Sequence, residues 1–145
     1  MTISLRPVTK ENYEAVCELD VTKEQEDLVA CNMWSLVESM FNEGHTTRAI
    51  YLAEEPVGFF MWVKETPEKM SIWRFMVDQK HQQKGIGHKA LMLALDEIKG
   101  VDGLKQIEIC YNPLNPVAKD FYANFGFAEV GMDDDDEDML AVIAL

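Results

Sequence analysis

The stretch Gln82-Gln83-Lys84-Gly85-Ile86-Gly87 has the composition of a loop that can hold an anion. It follows an apolar run ending at Val77 and the polar residues Asp78, Gln79, Lys80 and His81, and it precedes a helical pattern at residues 89–99. A strand, a short loop and a helix N-terminus in that order bring exposed amide N–H groups to the positive end of a helix dipole. That arrangement suits a phosphate or pyrophosphate. Glycine at 85 and 87 tolerates positive φ and removes the Cβ that a phosphate approaching the backbone would meet. A glycine pair alone also fits an ordinary loop-to-helix turn, so its meaning depends on the rest of the chain. The remaining reactive residue types form no constellation. Cys17, Cys31 and Cys110 have no CxxC or Cys/His spacing and read as buried thiols of a reducing cytoplasm, and His45, His81 and His88 lack metal-ligand spacing.

The elements that must position the loop can be read from periodicity. Residues 2–6 alternate as a short strand closed by Pro7. Thr9 caps a first helix carrying Tyr13, Val16 and Cys17 at i, i+3, i+4 spacing. A second helix is predicted from Glu24 to about Asn42, with Gly44 as its stop. Its expected buried stripe is Val29, Met33, Leu36, Val37 and Met40, and its outer face Glu24, Asp27, Cys31, Ser35 and Glu38. Residues 47–53 and 57–63 form a hairpin through Glu54-Glu55-Pro56, and residues 70–77 follow as a third strand of that group. The helix after Gly87 is apolar almost all round, which predicts cover on most sides. Residues 106–111 alternate with Ile107, Ile109 and Tyr111 on one face. Asn112-Pro113 and Asn115-Pro116 break the strand, and residues 117–125 return to helical spacing. Two strands close the chain, the first running through Val130 and the second at residues 139–145, with the acidic run 133–138 as an exposed turn between them. The order β-α-α-β-β-β-α-β-α-β-β describes one α/β (α+β) domain over residues 1–145, a mixed sheet of about seven strands with about four helices.

Composition sets the outer bounds. The 145 residues are 48% apolar, enough for a proper core. The sequence shows neither a membrane-length apolar run nor a signal-peptide pattern at its start. The net charge of −13 repels nucleic acid and anionic membranes and attracts cations.

A second group of residues gives the glycine loop its meaning: Asn115-Pro116-Val117-Ala118-Lys119-Asp120-Phe121-Tyr122, then Gly126-Phe127. Together the two groups resemble the GNAT family of acetyl-CoA-dependent N-acetyltransferases. That family shows an apolar strand, Arg/Gln-x-x-Gly-x-Gly/Ala opening a helix, then Asn-x-x-Ala-x-x-Phe-Tyr and a Gly-Phe pair. Gln82, Gly85 and Gly87 fill the first motif, and Asn115, Ala118, Phe121, Tyr122, Gly126 and Phe127 fill the second. Pro56-Val57-Gly58 looks like the family's second hairpin, and the element order agrees over essentially the whole chain.

The resemblance implies acetyl-CoA as co-substrate, with no metal, and a homodimer as a common family arrangement. Gln82 and the backbone amides of Gln83, Lys84, Gly85, Ile86, Gly87 and His88 would hold the pyrophosphate. Main-chain groups of Phe75, Met76 and Val77 would meet the pantetheine arm as an added strand does. Asn115, Pro116, Val117 and Ala118 would line the other wall. Tyr122 stands where the family places its general acid, able to protonate the departing thiolate. A polyamine-acetylating group of the family carries a glutamate base on the strand where this chain has Trp73 and Arg74. Here a water chain or a carboxylate from the first two helices would serve instead. The N-terminal half is similar to bacterial spermine/spermidine acetyltransferases, and the region of its two helices would supply an acceptor wall of Asp20, Glu24, Asp27 and Glu38, with Trp34 and Trp73 as further candidate lining of the acceptor pocket. The implied acceptor is a polyamine such as spermidine or spermine. Another small amine, a protein amino group, or a non-catalytic acetyl-CoA sensor remain as alternatives.

Overall fold

In a computed structural model, residues 2–22, 31–115 and 117–145 are described. The chain runs β1 (Ile3–Arg6), α1 (Tyr13–Glu18), α2 (Asn32–Phe41), β2 (His45–Leu52), β3 (Glu55–Thr66) and β4 (Lys69–Val77). It continues through a single 3-10 turn (Gln79–His81) to α3 (Ile86–Lys99), β5 (Gln106–Tyr111), α4 (Ala118–Ala123), β6 (Ala128–Met132) and β7 (Met139–Ala144). The strands form one sheet in the order β1-β2-β3-β4-β5-β7-β6. Among the described residues only β4 and β5 pair in parallel.

The sheet is covered on both faces, and β3 shows why its sequence is a continuous apolar run. Phe60 and Trp62 point into the larger core with α3, while Phe59 and Met61 point into a smaller one with Val16 of α1. β4 would carry the same alternation throughout, but Trp73 is an extra residue with no partner on β3, lying between Ile72↔Trp62 and Arg74↔Met61. Such a bulge flips the faces beyond it. Ile72 lies in the larger core, yet so do Phe75 and Val77, three and five residues on. Without the bulge, Phe75 would face the other layer.

Two expectations about the helices need correction. α2 begins at Asn32 within the described residues, and Asn32 and Ser35 are its buried residues. Met33, Val37 and Met40, expected inside, are exposed, as are Trp34 and Phe41, and among the described residues of the expected stripe Leu36 alone packs inward. The polar atoms on the buried face find local partners. Asn32 Nδ2 donates to the Val16 carbonyl at 2.9 Å, and Ser35 Oγ donates to the Cys31 carbonyl at 3.3 Å. Two short, satisfied side chains therefore take the inward face, and the bulky residues are left outside. Val29, Glu24 and Asp27 lie outside the described residues. The second correction concerns α3. It buries one face, Ile86, Ala90, Leu91, Ala94, Leu95 and Ile98, and leaves Met92, Asp96 and Glu97 exposed. The helix is one-sided because the sheet covers a single stripe of it.

The cysteines also differ from expectation. Cys31 is exposed, and Cys17 and Cys110 are half-buried. The acidic run does form the turn of the terminal hairpin. Asp133 N–H donates to the Asp138 carbonyl, and the Asp133 carboxylate accepts from the N–H groups of Glu137 and Asp138.

Candidate active site

β4 and β5 pair only from Lys69↔Gln106 to Ile72↔Ile109. Past that point β5 keeps its pairing with β7 through Tyr111↔Met139, and among the described residues no strand covers the β4 edge from Trp73 onward. The strands splay because the bulge at Trp73 turns β4 away. Two cavities open along the gap. A slot of about 240 Å³ lies between the strand ends, walled by Trp73, Arg74, Cys110, Tyr111 and Asp138. A channel of about 370 Å³ runs between β4 and the start of α3, walled by Met76, Val77, Gln82, Gly85, Gly87 and Val117, among others. Phe75, Asn115 and Tyr122 line both. The two cavities meet at those three side chains.

The channel end is built from backbone. Asp78 ties the preceding loop down, its N–H donating to the Val57 carbonyl at 2.7 Å and its carboxylate accepting from Asp20 N–H at 2.9 Å. Gln82 Nε2 donates to the Val77 carbonyl at 2.9 Å, so that one carbonyl of β4 is already engaged. Gln83 and Gly85 both adopt positive φ, 62° and 81°. No side chain caps α3, which leaves its first-turn N–H groups without a side-chain partner and directed at the loop. The two glycines do different work. Gly85 supplies the left-handed turn. Gly87 keeps the channel wall free of a side chain; a Cβ there would make ordinary contacts with the Phe75, Phe121 and Val77 side chains at 3.6–3.8 Å. These features fit a slender amide-bearing arm ending in a pyrophosphate.

Tyr122 closes the junction from α4. It is 9% exposed, and its ring contacts those of Tyr111, Phe121 and Phe127. Burial, with Cys110 and Tyr111 nearby, pushes its phenol well above the ordinary tyrosine value, so it remains a proton donor. Its hydroxyl makes no hydrogen bond among the described residues, whereas the Tyr111 hydroxyl is occupied by the Glu129 carboxylate. Burial also pushes the Cys110 thiol up to about 11, which keeps it protonated and a poor nucleophile.

The expected acceptor wall is only partly assembled. Trp73 lines the slot, its indole N–H donating to Glu65. Glu38 lies behind the slot wall and pairs with Arg74 at 3.5 Å. Trp34 is exposed on the outside of α2, and Asp20 is exposed beside the 3-10 turn, so neither lines the slot. Glu24, Asp27 and Pro116 lie outside the described residues. Two charged slot residues had no role in the sequence reading. Arg74 lies just past the bulge, and Asp138 ends the acidic run; its position directly before an apolar strand was the available signal.

A profile of the Acetyltransferase (GNAT) family matches residues 12–127. The chain belongs to this family. As a GNAT protein it is an acetyl-CoA-dependent N-acetyltransferase, and its seven-stranded sheet has the GNAT fold. It is 25% identical over 134 residues to the spermine/spermidine N(1)-acetyltransferase of Bacillus subtilis strain 168, with 88% of each chain covered. It superposes on an aminoglycoside acetyltransferase in complex with coenzyme A with a TM-score of 0.82 at 16% identity, covering 99% of this chain and 95% of the other. It superposes on the PaiA N-acetyltransferase of Thermoplasma acidophilum, also in complex with coenzyme A, with a TM-score of 0.74 at 18% identity over the full length of both. Those two likenesses concern the GNAT fold alone. Among the described residues no helix is long and apolar enough to cross a membrane.

Proposed function

We propose that this GNAT protein acetylates a primary amine by direct attack on acetyl-CoA within a ternary complex, with a polyamine as the acceptor. The observation that carries the reading is the meeting of two separate cavities at Phe75, Asn115 and Tyr122. The channel suits the cofactor arm, with the pyrophosphate at the amides of residues 83–88 and the start of α3. The open β4 edge offers main-chain groups at Phe75 and Met76 to the pantetheine amides. Asn115, Val117 and Ala118 form the facing wall. The acceptor enters from the slot, so its nitrogen approaches the thioester carbon from the opposite side. Tyr122 holds its proton for the sulfur.

A polyamine acceptor is supported by the distant Bacillus relative and by Asp138, a carboxylate in the slot wall. One observation favours a second reading. Arg74 puts a guanidinium in the slot wall, which suits a small amine that also carries an anionic group.

The test is thiol release from acetyl-CoA with spermidine, spermine, putrescine, lysine, an aminoglycoside and a basic peptide. Selective turnover of the polyamines is expected. Preference for lysine would move the assignment to the second reading. Acetyl-CoA binding without turnover of any amine would leave a sensor module.

A further inference from the structure

We propose that Asp138, from the terminal hairpin, is the carboxylate that receives the acceptor's proton in the slot, replacing the strand glutamate that this chain lacks. The proposal rests on the acetyl-transfer reading above and names one residue of that same site.

Three placements support it. Asp138 lines the same slot as Tyr122, so acid and base candidates share one cavity yet come from different places in the fold, α4 and the hairpin turn just before β7. At and just past the bulge β4 presents Trp73 and Arg74 to the slot rather than a carboxylate, and Glu38 of α2 is already paired with Arg74. Asp138, by contrast, forms no ion pair among the described residues, and its hydrogen bonds there engage only its backbone. The hairpin turn holds it in place. Asp133 N–H bonds the Asp138 carbonyl at 2.8 Å, and Asp138 N–H bonds the Asp133 carboxylate at 3.2 Å.

Burial, more than the neighbouring charges, tunes this carboxylate upward. Burial and Asp133 raise it, and Arg74 across the slot opposes them. The other titratable groups facing it are the Cys110 thiol of β5 and the two tyrosine hydroxyls, all protonated near neutrality. A carboxylate raised in this way is a better proton acceptor than an exposed one.

The proton balance closes. The acceptor ammonium gives one proton to Asp138 and becomes a free amine. Its lone pair forms the C–N bond to the thioester carbonyl carbon, and the C–S bond breaks with its electrons going to sulfur. Tyr122 protonates that sulfur and regains its proton from the nitrogen of the new amide. Asp138 releases the first proton to water, so the net products are an N-acetyl amine, a free thiol and one proton.

The test compares wild type with Asp138→Asn, Asp138→Glu and, as a control on the exposed part of the turn, Asp135→Asn. The readouts are thiol release as a function of pH and acetyl-CoA binding by calorimetry. Asp138→Asn is expected to lower kcat/KM by roughly 10²–10⁴ while acetyl-CoA affinity stays unchanged. Its pH profile should lose the acid limb and rise steadily toward the pKa of the free amine. Asp138→Glu should restore that limb, and Asp135→Asn should match wild type. An active wild type with an Asp138→Asn variant of equal rate and unchanged pH profile would overturn the role of Asp138 alone. No thiol release by wild type with any amine would overturn the acetyl-transfer reading and this role with it.

Discussion

The rings of Tyr111 and Tyr122 stack across the gap between β5 and α4, centroids 5.5 Å apart and planes 28° from parallel. The pair divides its labour by hydrogen bonding. Glu129 holds the Tyr111 hydroxyl, and the Tyr122 hydroxyl is left to the cavities. Tyr122→Phe should therefore lower kcat by roughly 10²–10⁴, the range for losing a general acid, with acetyl-CoA affinity retained. Tyr111→Phe should keep most of the turnover. Because Tyr122 is shifted upward, the pH–rate profile should show no tyrosine ionisation below the ordinary value of about 10. Steady-state kinetics on both variants would check the pair, and equal losses would remove Tyr122 from its special role.

Gly58 allows β3 to pass β4 closely. A Cβ there would stand 2.5 Å from the Met76 carbonyl oxygen and 2.8 Å from Ile50 Cδ1. Gly58→Ala should cost about 1–3 kcal/mol, the range for overpacking, as measured by urea unfolding. The displaced backbone is that of Met76, so acetyl-CoA binding should weaken in the same variant.

The two loop glycines should fail in different ways. At Gly85 a Cβ meets nothing within 4 Å, but φ is 81°. Gly85→Ala should lose about 1–2 kcal/mol, the cost of left-handed backbone for an L-residue. At Gly87 a Cβ makes ordinary contacts at 3.6 Å and beyond. Gly87→Ala should fold as wild type yet bind acetyl-CoA more weakly, because the methyl group narrows the channel. Thermal unfolding and calorimetry on both variants separate the effects.

Thiol labelling should rank the cysteines by environment. Cys31 is exposed and should react with iodoacetamide first. Cys110, pushed up to about 11 by burial, should react slowly at pH 8 and more readily as pH approaches that value, since the thiolate is the reactive form. Peptide mass spectrometry gives the order. Rapid labelling of Cys110 at pH 8 would contradict the buried slot wall, and Cys110→Ser should retain turnover, since no acetyl-thiol step involves it.

Element types and order were legible because each depends on local pattern. Residues 106–111 alternate, and Ile107, Ile109 and Tyr111 are buried as the pattern requires. Gly85 and Gly87 marked the loop, and the acidic run marked a turn. The facing of α2 was not legible. Its apolar periodicity is genuine, but a period identifies a stripe without saying whether a neighbour will cover it. Nor was the bulge at Trp73, since nothing local in the sequence separates an extra residue from one more step of alternation.

Which elements form, where the motif loop lies and the family they belong to follow from local pattern, because propensity, turn chemistry and motif spacing act over a few neighbouring residues. Where the sheet opens, and what lines the opening, depends on contacts between distant parts of the chain. Arg74, Cys110, Tyr122 and Asp138 come from four elements separated widely along the chain. A parallel pair that parts after Ile72, a bulge that reverses β4, and a hairpin that returns beside β5 bring them together. Long-range pairing set by the whole sheet, rather than by any local signal, produces that convergence.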